Sequence, residues 1–485
     1  MKRYKHNLSN YKLATMDMGK LVPVQFQEVL PGDTFQLETS ALVRVSPMLA
    51  PVMHPVTVRL HHWFVPTRLV WDKWEDFITG GPDGMNADTL PTCVQGSSAA
   101  GGVMDYLGVP PVEGLEVCCL PKRAYNLIWN EFYRDQDLQE ERGQGDNSLA
   151  NVSWSKDYFT TARPFTQKGN DLTLPLGDSA PVVGIGRNPN ITASTIPINV
   201  VETGGSTVSY SHNVHSGQNS SGIYGHIMET DSNGNPLIFA DLSQATGVTA
   251  NDFREFFALQ RYAEARARDG SRYTEYLRYL GVKPSDARLQ RPEYLGGGKS
   301  TLQFSEVLQT AEGTNPVGEM RGHGIGALKS KRTRRFFEEH GFIITLMSVV
   351  PKSIYTDGVQ RFFLKQDKED FFQRELQNIG QQEVMLGEVY CADTEDTRET
   401  FGYSNRYSEY TWTPSTVTGE FRSLLDYWHL GRKFDNTPIL NQSFVECNPS
   451  KRIHAVQTND VLWCMINNKS VARRMVKNVN VGGIL

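Results

Sequence analysis

Lys329, Lys331, Arg332, Arg334 and Arg335 form a run of cations with no acid between them, and the run ends on Phe336 and Phe337. Ammonium and guanidinium groups bind phosphates, and neighbouring aromatic rings can stack unpaired bases. The same run would also suit a solvated loop that meets acidic residues of a neighbouring subunit, and the sequence leaves both readings open. Lys2, Arg3, Lys5 and Lys12 make a second basic cluster, and Arg473, Arg474 and Lys477 a third. Formal net charge is −5, so a chain that coated nucleic acid over its whole surface is excluded. Contact with phosphates must be confined to patches.

Other reactive groupings fall short of chemistry. Gly296-Gly297-Gly298-Lys299-Ser300 imitates the end of a phosphate-binding loop, but the first glycine of that motif is replaced by Glu293. A flexible glycine turn is the better reading. His61 and His62 point to opposite faces of a strand, so they cannot share one ion, and His212 and His215 have no carboxylate at ligand spacing. No Gly-x-Ser-x-Gly elbow is present, and carboxylate pairs such as Glu338-Glu339 are adjacent rather than facing. The six cysteines (Cys93, Cys118, Cys119, Cys391, Cys447, Cys464) lack Cys-x-x-Cys spacing and read as reduced, apolar side chains. We therefore expect no catalysis, no metal and no cofactor.

The elements that position these residues are mostly strands. With 39% hydrophobic and 21% charged residues, the chain can build a sizeable core. Forty-two glycines and 24 prolines, spread along its length, favour many short strands and turns. Residues 1–20 read as a basic arm. From Leu21, two alternating runs flank a Pro31-Gly32-Asp33 turn, and Val56 to Phe64 alternates cleanly, one face for a core and the other for an interface. Helices are expected near 123–138 and 251–280, the second opened by a Thr249/Asp252 capping box. Gly341–Pro351 is an apolar run suited to a strand buried on both faces. Residues 153–244 lose helical periodicity and are rich in small polar residues, densest at Thr203–Gly222, which implies an exposed excursion, a β-rich loop or a partly mobile segment. The fold class expected is mainly β: an eight-stranded antiparallel jelly-roll sandwich over residues 21–485, with helix-containing insertions near 80–150 and 153–250.

Three groups of segments carry a family resemblance. They are VLPGDTF with VPTRLVWDKWEDF; RAYNLIWNEFYRDQDLQ with GSRYTEYLRYLGV and SDARLQRPEYLGGG; and FGYSNRYSEY with VTGEFRSLLDYWHL. Together they resemble the major capsid proteins of the microviruses, small icosahedral single-stranded DNA phages, and the gokushovirus-like branch in particular. The likeness spans most of Leu21 to Glu446. It implies a virion shell of about sixty copies built from five-fold rings, assembled in the host bacterial cytoplasm without membrane insertion. It also implies partners: the single-stranded DNA genome, a small basic packaging protein, a pilot protein, an internal scaffolding protein and a host surface receptor. The basic arm and the 329–335 run would line the interior. Tyr210, His212, His215 and Tyr224 would belong to the host-attachment loop.

Trp63, Trp71, Trp74, Trp129 and Trp428 are expected as subunit-interface anchors, because aromatic residues are enriched in buried contact patches. A rival reading explains the same aromatics as sugar platforms of a secreted carbohydrate-binding or polysaccharide-cleaving β-sandwich. The missing export signal, the absence of facing carboxylates and the clustered arginines weigh against it.

Overall fold

The computed structural model describes residues 2–96, 101–170, 172, 182–183, 185–187, 198–201, 207–210, 217–219, 222–224, 226–228, 239–240, 249–310, 317–391 and 397–477. Its main strands are β1 (Tyr4–Asn7), β2 (Asn10–Met16), β3 (Val22–Val29), β4 (Thr34–Met48), β5 (Val56–Pro66), β6 (Glu293–Thr301), β7 (Gln303–Leu308), β8 (Met320–Lys329), β9 (Thr333–Phe336), β10 (Gly341–Pro351) and β11 (Leu462–Arg474). Helices α1 (Leu120–Phe132), α2 (Ala250–Asp269) and α3 (Tyr273–Tyr279) lie in the long connection between β5 and β6.

All pairings of these strands are antiparallel, and they form two sheets. One runs β2-β11-β4-β8-β7, with β1 extending the β2 edge and β9 extending the β8 edge; the other runs β6-β5-β10-β3. In chain order β2, β3, β4, β5, β6, β8, β10, β11, the first strand pairs with the eighth, the second with the seventh, the third with the sixth and the fourth with the fifth. A long hairpin rolled over on itself gives this pairing, which is that of an eight-stranded jelly roll.

Side-chain alternation explains the layers. Along β4, Phe35, Leu37, Ala41, Val43 and Val45 turn inward while Gln36, Glu38, Ser40, Leu42 and Arg44 turn outward. Ala41, Val43 and Val45 meet Val58, Leu60, Met347, Val349, Cys464 and Ile466 in the sandwich interior, and Phe35 and Leu37 meet Phe64, Phe337 and Ile343. β10 is buried on both faces, as its unbroken apolar sequence requires. Its second face, with Trp63 and Val65 of β5, lies under Ala124, Tyr125, Ile128 and Trp129 of α1. The outer face of β5 is thus sealed by the chain's own helix rather than left for an interface.

Within the expected arm, Tyr4–Asn7 and Asn10–Met16 are strands of the first sheet. β1 and β2 are the first strand of the roll, interrupted at Leu8-Ser9, and they cover the hydrogen-bonding edge of β11. An edge strand needs only one buried face, so a polar, basic sequence suffices. The expected insertions near 80–150 and 153–250 belong to one connection, residues 67–292. A second long connection, 352–461, was not anticipated; it builds its own core from Tyr355, Val384, Leu386, Phe401, Phe444 and Val445 with Tyr158 and Phe159.

Two compact units are distinguished: Met1–Lys168 with Glu264–Leu485, and Gly169–Ala263. The second contains short antiparallel ribbons, among them Ile198–Val201 with Thr207–Tyr210 and Gly217–Asn219 with Gly222–Tyr224. α2 starts at the reciprocal bonds expected of its capping box, Thr249 N–H to Asp252 Oδ2 (2.8 Å) and Asp252 N–H to Thr249 Oγ1 (3.2 Å).

Candidate nucleic-acid face

The three basic clusters, remote in sequence, meet at one end of the first sheet. Lys5 of β1 lies opposite Arg473 of β11, Arg473 opposite Thr34 of β4, and Thr34 opposite Phe336 of β9. Arg3 closes the row: its guanidinium stands 4.9 Å over the Phe336 ring and reaches Thr34 Oγ1. Cation and ring reinforce each other in such a pair.

The turn that carries Lys331 and Arg332 is held down by the glycine triplet of β6. Lys331 N–H donates to Gly297 O at 3.1 Å. A Cβ at Gly298 would sit 2.8 Å from Lys329 O and 2.9 Å from Ser330 Cα. The triplet therefore permits close approach of the two sheets, which accounts for the sequence that imitates a phosphate loop. Ser330, at the base of the turn, is buried and bonded to His62 (Nε2 to Oγ 2.9 Å). Burial holds His62 at about 4, below the usual imidazole value, so the anchor is neutral near pH 7.

Between Thr34 and Arg44 of β4 and their partners, the outward face bears Lys5, Arg44, Lys329, Arg334, Lys469 and Arg473, against one carboxylate, Glu38. Lys329 is ion-paired with Glu38 at 3.2 Å. Among the described residues, Lys5, Arg44, Arg334, Lys469 and Arg473 have no ion-pair partner; nor do Lys2, Lys331 and Lys477. Arg44 and Lys469 are isolated in the sequence, and only strand register brings them to this face.

Some expected contacts are committed elsewhere. Arg474 is bonded to buried Asp33 at 2.7 Å, and Arg335 to Glu293 at 2.8 Å. Arg332 is bonded to Gln36. Lys12 turns away from the outer face, donating to Pro23 O (2.9 Å) and to Tyr106 O, and burial lowers it to about 8. Lys12 and Arg474 thus hold the roll together instead of facing a phosphate.

Comparison with known proteins identifies the kind of protein that carries this surface. The family model for the phage capsid protein (F protein) matches residues 1–482. Capsid protein VP1 of Bdellovibrio phage phiMH2K is 35% identical, covering 92% of this chain and 88% of the relative. Capsid protein VP1 of Chlamydia phage 1 is 32% identical (93% and 90%), and that of Spiroplasma virus 4 is 30% identical (92% and 87%).

The chain belongs to the phage capsid F-protein family.

It is a microvirus major capsid protein of the gokushovirus type, a structural component of the virion and not an enzyme. The sugar-binding and polysaccharide-cleaving readings fall with that finding. Capsid proteins assemble with their own copies, so the exposed surface matters as much as the core. Trp63, Trp71 and Trp129 are buried inside one chain, Trp63 packed 4.2 Å from Phe132 and Trp129 donating Nε1–H to Asn151 O at 2.8 Å. They stabilise the subunit and are closed to a neighbour; of the five expected anchors, Trp74 and Trp428 retain accessible surface. Tyr210 and Tyr224 fall on ribbon strands of the 169–263 unit, while His212 and His215 lie outside the described residues. No helix among the described residues is long and apolar enough to cross a membrane.

Proposed function

We propose that about sixty copies of this capsid protein close into an icosahedral shell around single-stranded DNA, through heterologous contacts that form five-fold rings. The outer face of the first sheet is its genome side. One observation carries this reading: strand register gathers six cations and one carboxylate onto a single face, in a chain whose net charge is −5. Such a face binds phosphates through counterion release, whatever the base sequence. Charge reversal at Lys331, Arg334 and Arg473 tests it, sparing Arg332 and Arg335 because their partners are Gln36 and Glu293. Shells of these variants assemble and hold less DNA; normal genome content in the particles would refute the assignment.

The Thr203–Gly222 excursion, with Tyr210, His212 and His215 and the adjacent Tyr224, is proposed as the host-attachment surface. Its small polar composition suits a solvated projection. Deleting it leaves assembly intact and weakens adsorption to the host, and failure to assemble would make it structural instead. Assembly in the host bacterial cytoplasm, with a basic packaging protein, a scaffolding protein and a pilot protein, completes the proposal. It rests on family likeness alone.

A further inference from the structure

The second long connection, 352–461, turns a cluster of rings outward. Phe363 is 73% exposed and Phe362 64%, and Phe371, Phe372 and Tyr410 are half-exposed. Phe362 and Phe363 are adjacent in a tight turn, Arg361–Leu364, whose one buried residue is Arg361, so both rings face solvent. The rings form a single patch. Between ring centres, Phe362 lies 5.7 Å from Phe363 and 6.4 Å from Phe371, and Phe372 lies 6.2 Å from Tyr410. Lys365 joins the two halves, its ammonium 5.1 Å from the centre of the Phe371 ring and 4.4 Å from that of Tyr410. The Tyr410 hydroxyl accepts from Lys365 Nζ (2.7 Å) and from Phe372 N–H (3.1 Å), which fixes the ring in place.

An aromatic side chain brings about 150–250 Å² to a contact, so these rings leave on the order of 500 Å² of apolar surface uncovered. That is large for a monomer, and more than half of the roughly 800 Å² that each partner gives to a stable interface. The surrounding charges say what covers it. From Lys365 to Glu375 the chain carries three cations and four carboxylates. Such a border does not attract a nucleic-acid strand or a partner of one charge. Lys368 pairs with Glu369, and Asp370 with Arg398, while Lys365, Arg374 and Glu375 have no ion-pair partner among the described residues. A patch that is apolar at its centre and carries both signs at its border is complementary to itself. Self-complementarity is the condition for contact across a two-fold axis.

We propose that the ring patch of Phe362, Phe363, Phe371, Phe372 and Tyr410 is where two copies of this chain meet across a two-fold axis, joining one five-fold ring to the next. The proposal rests on the shell reading and adds to it the surface that closes rings into a shell. A five-fold contact takes two different surfaces of each subunit, whereas this one uses the same surface twice.

The test uses particles produced alongside the other proteins of the same phage, with Phe362→Cys, Phe363→Cys, Phe371→Cys or Phe372→Cys introduced singly. A patch that faces itself places at least one of these positions beside its own symmetry mate. A short bis-maleimide then converts most of that variant to a covalent dimer and nothing larger, above the background of unmodified particles. No dimer from any of the four, a ladder beyond the dimer, or a product with a different virion protein overturns the proposal and leaves the shell reading standing. Phe363→Glu supplies an independent reading. Its free subunit melts like the parent, closed shells fall by about tenfold or more, and five-fold rings accumulate. A shell yield equal to the parent's overturns the proposal as well. An unmodified chain that forms no closed shell overturns the shell reading itself.

Discussion

His62 Nε2 lies 2.9 Å from Ser330 Oγ, so the base of the basic turn is bonded to the middle of the sandwich. The surrounding network sets the imidazole's proton. Thr345 Oγ1 donates to Gln25 Oε1 (2.9 Å), and therefore accepts from His62 Nδ1–H (2.8 Å). Ser330 Oγ accepts from Thr39 N–H (2.8 Å) and donates its own hydrogen to Nε2. The histidine is held neutral with both nitrogens satisfied.

A pH dependence follows from that arrangement. Burial holds His62 at about 4, below its unfolded value near 6.5, so the unfolded chain binds more protons between those limits. Stability is complete above about pH 6.5 and declines as pH falls to about 4, by up to roughly 3 kcal/mol for this residue. His54 and His454, also lowered to about 4 by burial, act in the same window. Melting temperatures of unmodified and His62→Gln chains, compared near pH 7 and near pH 5, should show a shallower decline in the variant. Parallel slopes would rule out His62 as a contributor.

Gly298→Ala should cost about 1–3 kcal/mol, because the new Cβ meets backbone at Lys329 and Ser330 and not a flexible side chain. The turn would be pushed from β6 and the bond from Lys331 N–H to Gly297 O lost. Hydrogen exchange at Lys331 provides the reading: faster exchange with the other sheet amides unchanged places the effect at the turn. An unchanged rate and melting temperature would mean the sheets can separate there at no cost.

The sequence discloses strands better than it discloses the site, for a physical reason. Alternation in Val56–Phe64, the apolar run of Gly341–Pro351 and the Thr249/Asp252 box are local patterns, and each forms where expected. The positions of Lys5 and Arg473 are instead set by register between the two ends of the chain. Neither Arg44 nor Lys469 has a basic neighbour in sequence, so no cluster signal announces them. β1 and β2 were missed because an edge strand can be almost wholly polar on one side. The tryptophans misled for the opposite reason: a large apolar ring gives the same signal in a core and at an interface, and only α1 packing over β5 tells them apart.

The buried pair of Arg361 and Glu388 (2.9 Å) ties the 352–461 connection together, with Glu409 near the same guanidinium. Burial raises the Glu388 carboxyl above its ordinary value despite the adjacent cation. Arg361→Met removes the compensation and should destabilise the subunit by about 3–5 kcal/mol. The variant's Glu388 rises further, so it is protonated more readily folded than unfolded, and its deficit should be larger near pH 8 than near pH 5. A deficit independent of pH would show that lost packing, and not the stranded carboxylate, dominates.

Trp63 and Trp428 separate stability from assembly. Trp63 of β5 packs on Phe132 and Tyr133, so Trp63→Ala should cost about 3–5 kcal/mol of folding stability and lower the yield of soluble subunit before any shell can form. Trp428 is half-buried, stands 6.4 Å from Phe421, and its indole nitrogen has no hydrogen-bond partner among the described residues. Trp428→Ala should leave the folding stability of the free subunit within about 1 kcal/mol of the parent and reduce the fraction that sediments as shells. Sedimentation and melting are therefore to be read on the same preparations. If Trp428→Ala chains melt like the parent and also assemble like it, Trp428 is no subunit contact, and the copy-to-copy surface must be sought among other exposed aromatics such as Phe362 and Phe363.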